Sequence, residues 1–113
     1  MSQCTPNRKT ANTSSVKNII RIGFYKLSIK QYSAALLHFE GALIERENIK
    51  ETNLGMAYAL TGICKRDQQY CELSKQYIDY VKNSNQYSAS QIQYLEAFLK
   101  NKPVDAYLYS LAH

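Results

Sequence analysis

Two histidines, three cysteines and nine carboxylates are the side chains of this 113-residue chain that could bind a metal or move a proton. His38 and His113 are too few for a histidine-rich metal site. No Cys-x-x-Cys, His-Glu-x-x-His, Gly-x-Ser-x-Gly or Gly-rich phosphate loop occurs. Cys64 and Cys71 flank a turn between predicted helices and can lie near each other, but a thiol pair without neighbouring histidines is a poor zinc site. Each then reads as a small buried hydrophobe. The acids stand singly along predicted helices, and no pair of them faces an apolar patch. The expectation is a protein that is not an enzyme and needs neither metal nor cofactor.

Charge is unevenly placed. Arg8, Lys9, Lys17, Arg21, Lys26 and Lys30 fall within residues 1–39 without a single acid, while the rest of the chain is nearly balanced, so the net +5 belongs to the N-terminal third. Nucleic-acid proteins spread cations along one surface, so the nucleic-acid signal is weak, although a regulator using the basic N-terminal segment is a third possible reading. No stretch is apolar enough to cross a membrane, and the first residues lack the apolar run of a secretory signal. The odd cysteine count, with Cys4 in a polar stretch, gives no disulfide framework and points to a reducing, cytoplasmic setting.

These residues must be positioned by helices. Four glycines and two prolines are too few for a many-stranded β fold. Residues 1–13 have no apolar periodicity and read as a flexible tail, with Ser14 or Ser15 capping a helix that begins near Val16. Apolar stripes then mark segments at about 16–28, 32–45, 54–66 and 70–81. Ser88-x-x-Gln91 is a capping box for a fifth helix, and Pro103 suits the first turn of a sixth. The prediction is an all-α domain over residues 14–113, made of antiparallel pairs at about 14–46, 53–82 and 88–112.

The pairs repeat. Residues 30–43, KQYSAALLHFEGAL, align with 68–81, QQYCELSKQYIDYV. Tyr32 then matches Tyr70, Ala35 matches Leu73, Phe39 matches Tyr77 and Ala42 matches Tyr80. Ile19, Ile22 and Gly23 match Ala57, Leu60 and Thr61 at the same offset. The first unit resembles a tetratricopeptide repeat, whose pattern is held here by Ile19, Ile22-Gly23, Tyr32, Ala35, Phe39 and Ala42. The small residues let helix backbones approach, and Phe39 fills the gap to the next pair. The second unit departs from the pattern at Leu73, Tyr80 and Thr61, with an inter-repeat loop expected around Ile49–Thr52. The third is degenerate: Ala106 can take its small position, but a register slipped by one residue fits the apolar residues better.

The resemblance implies a short solenoid of about three helix pairs whose leading helices line a concave groove. It places Lys17, Ile20, Phe24, Leu27 and Ser28 there from the first pair, and Gly55, Tyr58, Gly62, Lys65 and Arg66 from the second. The partner-binding set is then Lys17, Ile20, Phe24, Leu27, Tyr58, Lys65 and Arg66; the alternative is that Ile20, Phe24 and Leu27 are core, covered by the N-terminal tail or a second copy, and that Lys65 and Arg66 are a solvated helix end. An apolar groove with basic edges suits an amphipathic helix or an extended apolar segment. Ile20 and Phe24 stand where repeat domains that grip acidic chaperone tails carry Lys and Asn, so a carboxylate clamp is not expected. The leading expectation is a chaperone or adaptor that sequesters a helical protein partner. Size and architecture are similar to the small chaperones of type III secretion needle subunits, which commonly work beside a second small chaperone. The alternative is a structural subunit or homo-oligomer whose apolar face is permanently covered.

Overall fold

The computed structural model describes the backbone of residues 4–113 and the side chains from residue 15 onward. The chain is all-α. Helix α1 spans Cys4–Ser28, α2 Tyr32–Glu45, α3 Ile49–Cys64, α4 Cys71–Asn83, α5 Ala89–Leu99 and α6 Asp105–Leu111, with a single 3-10 turn at Gln68–Tyr70 before α4. Successive helices pack on one another from α1 through α4, and α6 returns to pack along α1.

Several boundaries differ from those the spacing predicts. The helix expected to start at Ser14 or Ser15 starts at Cys4, so these serines lie inside it instead of capping it. Of the tail expected over residues 1–13, residues 1–3 lie outside the described residues and 4–13 are the first turns of α1, where Pro6 is tolerated because first-turn N–H groups have no intrahelical partner. The loop expected around Ile49–Thr52 is the first turn of α3, and the connection is Arg46–Asn48. At the other end the capping box forms as read. Ser88 Oγ accepts from the Gln91 N–H at 3.1 Å while Gln91 Oε1 accepts from the Ser88 N–H at 2.8 Å. Pro103 stands two residues ahead of α6, which opens at Asp105.

Short turns make neighbouring helices antiparallel. Backbone with positive φ appears at Lys30, Arg46, Asn48, Asn85 and Asn101, each in a connection between helices, and at no glycine. The glycines serve contacts instead. A Cβ on Gly23 would stand 2.7 Å from the Phe39 ring, and a Cβ on Gly55 would overlap the same ring. Phe39 is thus wedged between α1 and α3, fully buried with Ala35 and Ala42 beside it, and its ring meets Phe24 edge-on at 5.1 Å. Gly62 plays the same part for the Tyr32 ring.

The second pair is built differently. Leu73 and Tyr80 stand in the register of Ala35 and Ala42, yet both are about two-fifths exposed. α4 grips α3 through Ser74, whose hydroxyl meets that of Thr61 at 2.8 Å in the core, and through Val81. α5 leans on α2 and α3, with Leu95 buried and Phe98 5.1 Å from Tyr58 and 6.0 Å from Tyr32. Tyr94 and Tyr107 stack at 3.8 Å and hold α5 to α6. The buried Leu108 seats α6, and Lys30 Nζ lies 2.9 Å from Asp105 Oδ2. That ion pair is exposed and contributes under about 1 kcal/mol.

The glycine contacts give a paired prediction. Gly55→Ala forces the Phe39 ring to move and is expected to cost about 1–3 kcal/mol. Gly41→Ala meets no heavy atom within 4 Å on the outer side of α2 and is expected to gain about 0.5–1 kcal/mol from helix propensity. Urea denaturation of the two variants measures both signs.

Candidate functional site

The residues that the pattern assigns to a concave groove are brought together, but not as an open surface. Ile20, Phe24, Leu27 and Tyr58 are 7%, 3%, 0% and 0% exposed and belong to one core cluster with Leu95, Phe98 and Leu108. Phe98 of α5 lies on Tyr58, and α6 runs along α1. The expected apolar trough is therefore filled by the chain's own last two helices. The cause lies in sequence: Leu95, Phe98, Val104 and Leu108 need an apolar seat, and burying each yields about 1.5–3 kcal/mol. Ser28, Gly55 and Gly62 are buried with them.

The basic members of the expected set stay outside and apart. Lys17 is exposed and shares a shallow pocket with Ile20, Arg21, Asn48 and Glu51, beside the α2–α3 turn. Lys65 and Arg66 lie at the opposite end, after α3. The Lys65 ammonium donates to Asn101 Oδ1 at 2.5 Å and sits 4.7 Å above the Phe98 ring, so its work is to pin α5. Arg66 is exposed and, with Lys30, Tyr32, Ser33, Asp67 and Tyr70, lines a cleft of about 540 Å³ between the start of α2 and the α3–α4 turn. The Lys30 ammonium is held above its ordinary pKa by its hydrogen bond to Asp105 and then by that carboxylate's charge.

Two features escape the pattern. Ile22 and Tyr25 on α1, with Ile29 just past its end, form a second stripe, each about two-fifths exposed, and Tyr109 of α6, half exposed, lies 6.3 Å from Tyr25. Arg21 and Lys26 flank this strip, and no acid precedes Glu40 in the sequence. The signal was present at spacings of three and four residues, but it is masked by the stronger stripe at Val16, Ile20, Phe24 and Leu27. The second feature is the cysteines. Cys64 and Cys71 do lie together, and they are half-buried and joined by a disulfide, a correction to their reading as separate buried hydrophobes.

Among the described residues no three His, Cys, Asp or Glu side chains gather in a metal-holding arrangement, and no helix is long and apolar enough to cross a membrane. His38 donates from Nδ1 to the Ala34 carbonyl at 2.9 Å, as a side chain satisfied within its own helix. Comparison with protein families, curated proteins and solved structures finds no match for this chain. The tetratricopeptide resemblance thus rests on the residues quoted for it.

The burial figures fix the outcome of two substitutions. Phe24→Glu places a carboxylate in the core and is expected to cost on the order of 5 kcal/mol, enough to unfold a domain of this size. Circular dichroism checks it, and retention of full helicity would mean that α6 lifts away to expose the site. The Tyr58 hydroxyl, fully buried, finds no hydrogen-bond partner among the described residues, and burial raises its pKa far above the ordinary 10.0. Below that value both states carry the neutral phenol. Above it the unfolded chain ionises and the folded one does not, so stability falls as pH rises past about 10. Tyr58→Phe is expected to gain about 1 kcal/mol at neutral pH and to weaken the alkaline loss, read from melts across pH 7–11.

Proposed function

We propose that this chain is a non-enzymatic protein-binding module that docks an acidic amphipathic segment on the outer face of α1. The reading rests on one observation, the exposed Ile22–Tyr25–Ile29 strip, extended by Tyr109 and bordered by cations with no acid in the first 39 residues. Side chains at these spacings sit on one helix face and accept another helix's anchors at similar intervals. Tyr presents a large apolar area with little rotamer freedom to lose, which suits binding. The flanking Arg21 and Lys26 favour a partner carrying Asp or Glu beside its apolar stripe and speed the encounter at low salt.

Within this proposal, residues 16–45 form a tetratricopeptide-like hairpin. The wedging of Phe39 between Gly23 and Gly55 and the burial of Ala35 and Ala42 support that reading. Chaperone action with cargo in the concave trough would first require α5 and α6 to leave it. Docking outside needs no such opening, and the partner then meets a finished surface. A self-associating scaffold is the alternative, since the same strip could be covered by a second copy.

The test uses a synthetic 20-residue helical peptide with leucines on one face and glutamates beside them, together with a scrambled peptide of equal composition. Saturable binding of the first alone is expected, with amide shifts centred on residues 21–29 and loss of at least tenfold in affinity for Ile22→Glu/Ile29→Glu, whose helical signal stays intact (each anchor contributing roughly 1 kcal/mol or more). Equal binding of the scrambled peptide, shifts elsewhere, or a concentration-dependent dimer abolished by the same double variant would remove this reading, the last in favour of the scaffold.

A further inference from the structure

Cys64 is the last residue of α3 and Cys71 the first of α4, and their Cα atoms stand 4.7 Å apart. That separation lies within the span a disulfide bridges without backbone movement. Both residues are half-buried, at the surface end of the hairpin and outside the core cluster. Cys71 opens α4 directly after the Gln68–Tyr70 turn, its own N–H donating to the Gln68 carbonyl, and the cations Lys65 and Arg66, which favour a thiolate, belong to the same turn. Between the cysteines, Arg66, Asp67 and Tyr70 form one wall of the 540 Å³ cleft, facing Tyr32 and Ser33 of α2. The buried Thr61–Ser74 hydroxyl pair holds α3 to α4 deeper in the hairpin, so opening the bridge frees the turn without parting the helices.

We infer that Cys64 and Cys71 are a redox-active pair that exchanges with small thiols and disulfides, and that their state sets how firmly residues 65–70 are held against the cleft. In oxidation the Cys71 thiolate attacks one sulfur of a small disulfide such as glutathione disulfide, forming a mixed disulfide and expelling one thiolate. Cys64, its proton given up to solvent, attacks the Cys71 sulfur and expels the second. The pair loses two electrons and two protons, and the small disulfide takes them up as two thiols. Reduction reverses the sequence: a glutathione thiolate attacks the Cys71 sulfur and expels Cys64, and a second attacks the glutathione sulfur of the mixed disulfide and expels Cys71. The inference involves neither the α1 strip nor its partner.

The experiment uses the full chain carrying Cys4→Ser, so that one thiol pair remains. The protein is equilibrated in glutathione buffers of graded ratio, trapped with a maleimide and weighed, and hydrogen exchange is followed on the same samples. The pair is expected to titrate as a single two-electron couple across the ratios that millimolar glutathione sets. Amides of residues 65–70 are expected to exchange roughly tenfold faster when it is reduced, with the helical signal unchanged. A variant that adds Cys64→Ser and Cys71→Ser is expected to show the fast exchange in every buffer. A bridge that persists in fully reduced glutathione, thiols that stay reduced in glutathione disulfide, or exchange at 65–70 indifferent to redox state would each overturn the inference.

Discussion

The fold depends on one aromatic ring set between two glycines. Phe39 needs α1 and α3 close enough to enclose it, and Gly23 and Gly55 allow that approach by presenting no side chain. Once the ring is seated, α1, α2 and α3 are fixed as a layer, and Phe24 and Tyr58 are committed to the same core. Tyr32 against Gly62 repeats the arrangement at the far end of α2. Close-packed interiors tolerate few alternatives at such points, because a methylene too many moves a ring and a methylene too few leaves a void. The remaining helices adapt to this layer. α4 is held by the Thr61–Ser74 hydroxyl pair, the Cys64–Cys71 bridge and apolar side chains including Val81, and α5 and α6 by a row of apolar side chains that need cover.

The location of an accessible surface follows from that adaptation. A stack of like hairpins leaves its concave side free, but here the third pair lies across it. The chain therefore covers much of its apolar surface with its own helices and leaves outward, besides Leu37 and Ile44 of α2, a mixed strip of Ile and Tyr among cations. A strip of this kind is apolar enough to reward contact.

Much of this was legible from residue spacing. The helix pairs along α1–α2 and α3–α4, the Ser88–Gln91 box and the wedge position of Phe39 follow from periodicity and cap chemistry, which act over a few residues. The start of α1 at Cys4 was not legible, because polar residues such as Asn and Thr carry no stripe and give no sign that a helix continues through them. Nor was the connection between α2 and α3. Ile49–Thr52 looked like a loop, yet Arg46 and Asn48 take the left-handed backbone and let α3 begin earlier. The apolar and aromatic candidates Ile20, Phe24, Leu27 and Tyr58 were right as a cluster and wrong as a surface. Periodicity reports which face of a helix is greasy, not whether a partner or the same chain covers it.

A linear array of helical hairpins can lengthen indefinitely, because each new unit rests on the one before it and leaves the first untouched. Here α6 lies along α1, so the beginning and the end of the stack share one seam. Duplicating a hairpin after α4 would have to evict the closing helices before it could bury anything. Over these residues the architecture closes on itself, and the stacking surface that a solenoid would leave open is covered.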